Sequence, residues 1–203
     1  MIKLKPFPIQ IEHFLTPLLV LVIATVAFFL NQQLSDSFIY NRDLIGQGEY
    51  WRLLTGHFFH TNFNHLMLNS AAILLLWALH GQFYSISNYL FNFIFCALVT
   101  SSALYFYSPE LFYYVGLSGV LHGFFIWGAL KDIEHHDRTG YWLLLGITVK
   151  LLHEQLVGAS ADVAALIEAN VAVDAHLWGA IAGAVYFLGG KVIRLRSLSS
   201  DNK

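Results

Sequence analysis

At 203 residues, 57% of them hydrophobic and only 12% charged, the chain is far more apolar than a soluble globular domain. A membrane span takes about 20 apolar residues, so six spans use roughly 120 and leave one substantial loop, short connections and no room for a separate soluble domain. The formal net charge of −2 gives no bulk attraction to nucleic acid, and a single cysteine, Cys96, excludes an intramolecular disulfide and any cysteine-built zinc or iron–sulfur site.

Lys3 and Lys5 precede an apolar run from Phe14 to Leu30, which reads as an uncleaved first span whose basic flank stays cytoplasmic. Residues 31–62 form the longest polar segment, an extracytoplasmic loop in which Phe38, Tyr40, Tyr50 and Trp51 are placed at the membrane interface. Further spans are expected over Asn64–Leu79, Tyr89–Tyr107, Leu117–Leu130, Tyr141–Val157 and Ala175–Gly190, with a turn at Ser108-Pro109-Glu110 and a small-residue loop bearing Asp162 and Glu168. A basic tail, residues 191–203, closes a single domain of residues 1–203. Placing both termini in the cytoplasm puts Lys131, Arg138 and the basic ends inside and leaves only Arg42 and Arg52 clearly outside, which favours six spans and an all-α membrane protein. The fourth and sixth spans are short and glycine-rich, as expected of helices enclosed by the others.

Ser118 and His176 are the pair that could carry chemistry. A serine hydroxyl is a poor nucleophile until a base takes its proton, and imidazole has the intrinsic pKa for that task. Gly119 with Gly123, and Gly179 with Gly183, form small-xxx-small faces that let helix backbones approach, and His176 shares its face with Gly179 and Gly183. Packing of those faces would carry His176 toward Ser118. His65 and Asn69, at i and i+4, together with the Ser118 backbone N–H at a helix start, are candidate oxyanion donors; a metal site or interhelical polar contact is the other reading of His60 and His65, and neither a metal nor another cofactor is expected. Asp174, at i−2 from His176, points to a different face and reads as a helix N-cap, which implies a serine–histidine dyad without a carboxylate. His122, i+4 from Ser118, packs against His176 or serves as an alternative base. Trp51-Arg52 beside Glu49 pins the long loop. Lys150 and Glu154 read as a satisfied i, i+4 pair, with Glu154 alternatively touching a substrate that enters beside the fifth span.

In order along the chain, Trp51-Arg52, His60, His65-x-x-x-Asn69, Gly116-Leu117-Ser118-Gly119 and His176-x-x-Gly179-x-x-x-Gly183 resemble the motifs of rhomboid intramembrane serine proteases. The resemblance implies a six-transmembrane-helix rhomboid-like bundle in a bacterial inner membrane, with Ser118 as nucleophile, His176 as base, and His65, Asn69 and the Ser118 amide as oxyanion donors. It also implies a site sunk below the outer surface and open to water from the periplasmic side. The run Gly116 to Gly123 is similar to rhombosortases, whose implied substrates are secreted proteins ending in a Gly-Gly motif, an apolar helix and a basic tail. His122 departs from many rhomboids, in which an aromatic ring packs on the catalytic histidine.

Overall fold

The computed structural model describes residues 7–200, with side chains through residue 194; Lys3, Lys5, Lys203 and the Arg196 side chain lie outside the described residues. Six long helices form the bundle: α1 (Ile11–Phe29), and, after three short helices α2 (Asn31–Phe38), α3 (Arg42–Gly46) and α4 (Arg52–Thr55), α5 (Phe63–His80), α6 (Ile86–Tyr107), α7 (Ser118–Glu134), α8 (Thr139–Val157) and, after the short α9 (Ala161–Ile167), α10 (Val173–Ser200). Among the described residues, α1, α5, α6 and α10 are long and apolar enough to cross a bilayer by length and composition alone. The other two fall short for identifiable reasons. α7 has 17 residues, and the 19 residues of α8 include Lys150, His153 and Glu154.

α1 shows the membrane pattern plainly: Val20 and Ala24 are buried against the bundle while Leu18, Val22 and Val26 on the far side are exposed. A helix apolar all round belongs in lipid or in a large core. α7 lies at the centre, in contact with α5, α6, α8 and α10, and buries Val120, Phe124, Trp127 and Ala129. α8 packs chiefly on α7 and α10, burying Gly140, Ile147 and Leu151 and leaving Trp142, Leu145 and Leu152 exposed. α10 departs from the expectation of a short enclosed helix: it runs 28 residues, through the basic stretch, and exposes Val185 and Leu188. Lys191 and Arg194 are good helix formers, and Arg194 lies 3.7 Å from Glu134 at the end of α7, so nothing stops the helix at Gly190.

The long loop is built rather than loose. Arg52 is buried and donates to Glu49 Oε2 at 2.6 Å, to the Ile39 carbonyl at 2.9 Å and to the Asp36 carbonyl at 2.8 Å, while Trp51 Nε1 donates to the Ser37 carbonyl at 3.0 Å. Replacing Arg52 with Gln leaves those acceptors unpaired, and we expect a loss of about 2–4 kcal/mol in a denaturant titration of the detergent-solubilised protein. Phe38, Tyr50 and Trp51 are exposed as an interfacial belt requires, but Tyr40 is fully buried. Its backbone explains why: Tyr40 and Asn41 (β1) pair antiparallel with Tyr113 and Tyr114 (β2), register Tyr40 to Tyr114, with the two rings edge to face at 6.4 Å. Gly56 admits this pairing, since a Cβ there would meet the Tyr40 nitrogen at 2.6 Å.

β2 leads directly into the start of α7. Tyr114 donates its hydroxyl to the Gly116 carbonyl at 2.9 Å, and the His57 ring stands edge-on to Tyr114 at 5.4 Å. Burial holds His57 down to a pKa of about 4, so it stays neutral and bonds Ser101 Oγ at 2.9 Å through Nε2. The loop thereby fixes the height at which Ser118 enters the bundle.

Candidate active site

Ser118 is the first residue of α7, and His176 lies in the first turn of α10. The two helices run parallel, because their glycine faces match in register: a Cβ on Gly179 would overlap the Gly119 carbonyl, and one on Gly183 would overlap the Gly123 carbonyl. Side chains at those positions would hold the axes apart; glycine lets backbone meet backbone. Both N-termini therefore fall at the same end, and Ser118 Oγ lies 3.0 Å from His176 Nε2. That is hydrogen-bond distance for a hydroxyl and the base that would take its proton.

Gly116, at φ +109°, turns the chain into α7 in a conformation that favours glycine. A Cβ there would meet His65 Nε2 at 2.6 Å and Asn69 Nδ2 at 3.8 Å, so the two polar side chains of α5 face the approach to Ser118. Asn62 caps α5 by accepting from the His65 N–H at 2.9 Å. His65 and Asn69 are both buried, and Asn69 Nδ2 donates one hydrogen to the His65 carbonyl at 3.1 Å, leaving the other. Thr61 holds His65 Nδ1 from two sides, by its hydroxyl at 3.1 Å and its backbone N–H at 3.5 Å. The Thr61 hydroxyl donates its own hydrogen to the Ile167 carbonyl at 2.6 Å. His60 packs edge-on to His65 at 4.9 Å; burial, and next the neighbouring His65, push its pKa down to about 3.

The α8 side of the site is where the geometry departs from a dyad. Glu154 Oε2 lies 2.9 Å from His176 Nδ1, and Glu154 Oε1 accepts from Lys150 Nζ at 2.6 Å. The expected Lys150–Glu154 pair is present, then, but it is joined to the histidine. Asp174 takes no part: it sits in the first turn of α10 and accepts from Ser108 Oγ at 2.6 Å. His122 stacks on His176 with ring centres 4.1 Å apart and planes 14° off parallel. One signal for Glu154 existed in the sequence, its place in the last turn of α8 at the same end as Ser118, but it does not distinguish a partner of Lys150 from a partner of His176.

A cleft of about 690 Å³ opens onto this group between α5, α7, α8 and the start of α10, lined by His65, Asn69, Ser118, His122, Glu154 and His176. Ligand atoms of His122, Glu154 and His176 lie within 4.8 Å of one another, as a divalent metal requires. Those atoms are already engaged with Lys150, with Ser118 and with each other.

Fold and site together define a multi-pass helical membrane protein with a hydroxyl–imidazole pair in a cleft between its helices. The rhomboid domain family matches residues 47–190, which takes in every motif residue from Trp51 to Gly183, and the chain belongs to that family. A protein of Bacillus subtilis (strain 168) described as "Putative rhomboid protease YdcA" is 25% identical over 139 residues, 68% of this chain and 66% of that protein. The matched stretch thus spans just under two thirds of that relative's length.

Proposed function

We propose that the protein is an intramembrane serine endopeptidase, and that its substrates are of the rhombosortase type: secreted proteins held by a C-terminal Gly-Gly motif, apolar helix and basic tail. The observation that carries the chemistry is the 3.0 Å contact between Ser118 Oγ and His176 Nε2 within the cleft. Ser118 attacks the scissile carbonyl as His176 takes its proton; His176 returns that proton to the leaving amine, and water hydrolyses the acyl-enzyme by the reverse sequence. The oxyanion is held by the free Asn69 N–H, the Ser118 backbone N–H and His65. Lys131, Arg138, Lys191 and Arg194 gather at one end of the bundle and Arg42 and Arg52 at the other, which supports cytoplasmic termini, a bacterial inner membrane and a site opening to the periplasm. The Gly-Gly preference rests on the likeness of the run Gly116 to Gly123.

A fluorophosphonate probe and a pair of reporters test both levels. Digestion and mass spectrometry of the labelled protein should find the adduct on Ser118. A reporter ending in Gly-Gly, an apolar helix and arginines should be cleaved at least ~10-fold faster than a single-span protein lacking Gly-Gly. Equal rates would make the protein a general rhomboid protease, and binding of both reporters without adduct or cleavage would make it a client-holding protein.

A further inference from the structure

Five side chains and one carbonyl at the site close a ring of hydrogen bonds in which every contact pairs one donor with one acceptor. The Ser118 carbonyl can only accept, so His122 Nδ1, 2.7 Å away, carries a hydrogen and donates it. Neutral His122 then has its lone pair on Nε2, where Lys150 Nζ, 3.0 Å away, donates. A second Lys150 hydrogen goes to Glu154 Oε1 at 2.6 Å. The other oxygen, Oε2, accepts from His176 Nδ1–H at 2.9 Å, and this fixes the bare nitrogen of His176 as Nε2, the one facing Ser118 Oγ at 3.0 Å. Had Nδ1 lacked the proton, it would set a lone pair against a carboxylate, and Nε2 could not receive the serine proton.

We propose that Glu154 is the positioning residue of the base: it holds His176 in the Nδ1–H tautomer, oriented on Ser118, and so turns a dyad into a Ser118–His176–Glu154 triad braced by Lys150 and His122. The inference rests on the reading of Ser118 as nucleophile and His176 as base. Stacking on His122 restrains the ring plane, and the Glu154 contact restrains rotation within that plane. Neither α5 nor α6 offers a substitute. α5 brings His65 toward this side, bonded to Thr61, and α6 contains no charged residue. On α10 itself, Asp174 is turned to Ser108; on α8, His153 lines the same cleft but makes no bond to His176 among the described contacts. Lys150 balances the Glu154 charge. The carboxylate therefore orients the imidazole more than it adds net negative field, and the two residues should affect the base in opposite directions.

The test is the pH dependence of reporter cleavage and of fluorophosphonate labelling, measured beside thermal unfolding, for Glu154→Gln, Glu154→Asp and Lys150→Met, with Ser118→Ala in parallel. Glu154→Gln preserves shape and should lower kcat by about 10²–10³-fold with KM changed less than about 2-fold, against the ~10⁴-fold loss when the aspartate of a soluble serine-protease triad becomes asparagine. Its acidic limb should move to lower pH, since the anion that favours imidazolium is gone and Lys150 is left unbalanced; Lys150→Met should move the limb to higher pH. Glu154→Asp should recover part of the lost kcat. A Glu154→Gln enzyme with unchanged kcat and pH profile, or one changed in KM alone as a substrate contact would be, overturns the inference while Ser118-dependent labelling leaves the protease reading intact. Labelling that survives Ser118→Ala overturns the protease reading itself. If Glu154→Gln fails to fold, opposite displacement of the limb in Lys150→Met still decides, and an unmoved limb there counts against the triad.

Discussion

Ser118→Ala is expected to reduce kcat/KM on a cleavable reporter by at least ~10⁴-fold while leaving the melting temperature of the detergent-solubilised protein nearly unchanged. Ser118 is half-buried at the first position of α7, and its hydroxyl bonds His176 Nε2 at 3.0 Å. An alanine fits the same backbone, so the fold loses a hydrogen bond worth about 1 kcal/mol. On the proposed mechanism, the reaction loses its attacking atom. His176→Ala should cost nearly as much, because a hydroxyl with no base beside it stays protonated at neutral pH. The informative measurement is the double variant. Nucleophile and base act as one unit, so removing both should be no worse than removing Ser118 alone, whereas independent contributions would multiply. Retention of more than about 1% of activity in Ser118→Ala would sink the assignment.

The features legible in the sequence are those set along one helix at a time. Gly119, Gly123, Gly179 and Gly183 announce close-packed faces, because i, i+4 spacing alone decides that they align, and the two faces do meet. His65 and Asn69 fall on one side of α5 by the same rule. Position relative to a second helix is different. Periodicity says that Lys150 and Glu154 share a face of α8, but how far α8 is rotated about its own axis depends on Ile147 and Leu151 packing into the cluster with Ile126 and Ala180. That rotation brings Glu154 to His176, and no one-dimensional pattern contains it. The two-residue strands escape notice because Tyr40 and Tyr113-Tyr114 look like interfacial aromatics; their pairing spans 74 positions and is visible only as register. The buried His80, whose Nε2 lies 3.2 Å from Asp132 Oδ2 at the far end of α5 and α7, is hidden for a related reason: Gly128, which makes room for its ring, reads as one more glycine on an apolar helix.

Gly179→Ala should lower the labelling rate by about 10²-fold and destabilise the protein by about 1–3 kcal/mol, a large effect for one methyl group. The added Cβ would overlap the Gly119 carbonyl, which is backbone and cannot rotate away. The axes of α7 and α10 must then separate, by about 1 Å or more to restore ordinary contact. His176 sits three residues before Gly179 and would move with α10, whereas Ser118 is held by α7 and, through Tyr114 and Gly116, by the long loop. A hydrogen bond of 3.0 Å does not survive such a displacement, and a shift of that size between reacting groups costs roughly 10²-fold. The same helix supplies the control: a Cβ at Gly189 or Gly190 would meet nothing within 4 Å. There the substitution adds only helix propensity, and stability should be unchanged or higher by up to ~1 kcal/mol, with labelling at the wild-type rate. If Gly179→Ala labels and melts like Gly189→Ala, backbone contact between α7 and α10 is not what holds the histidine on the serine.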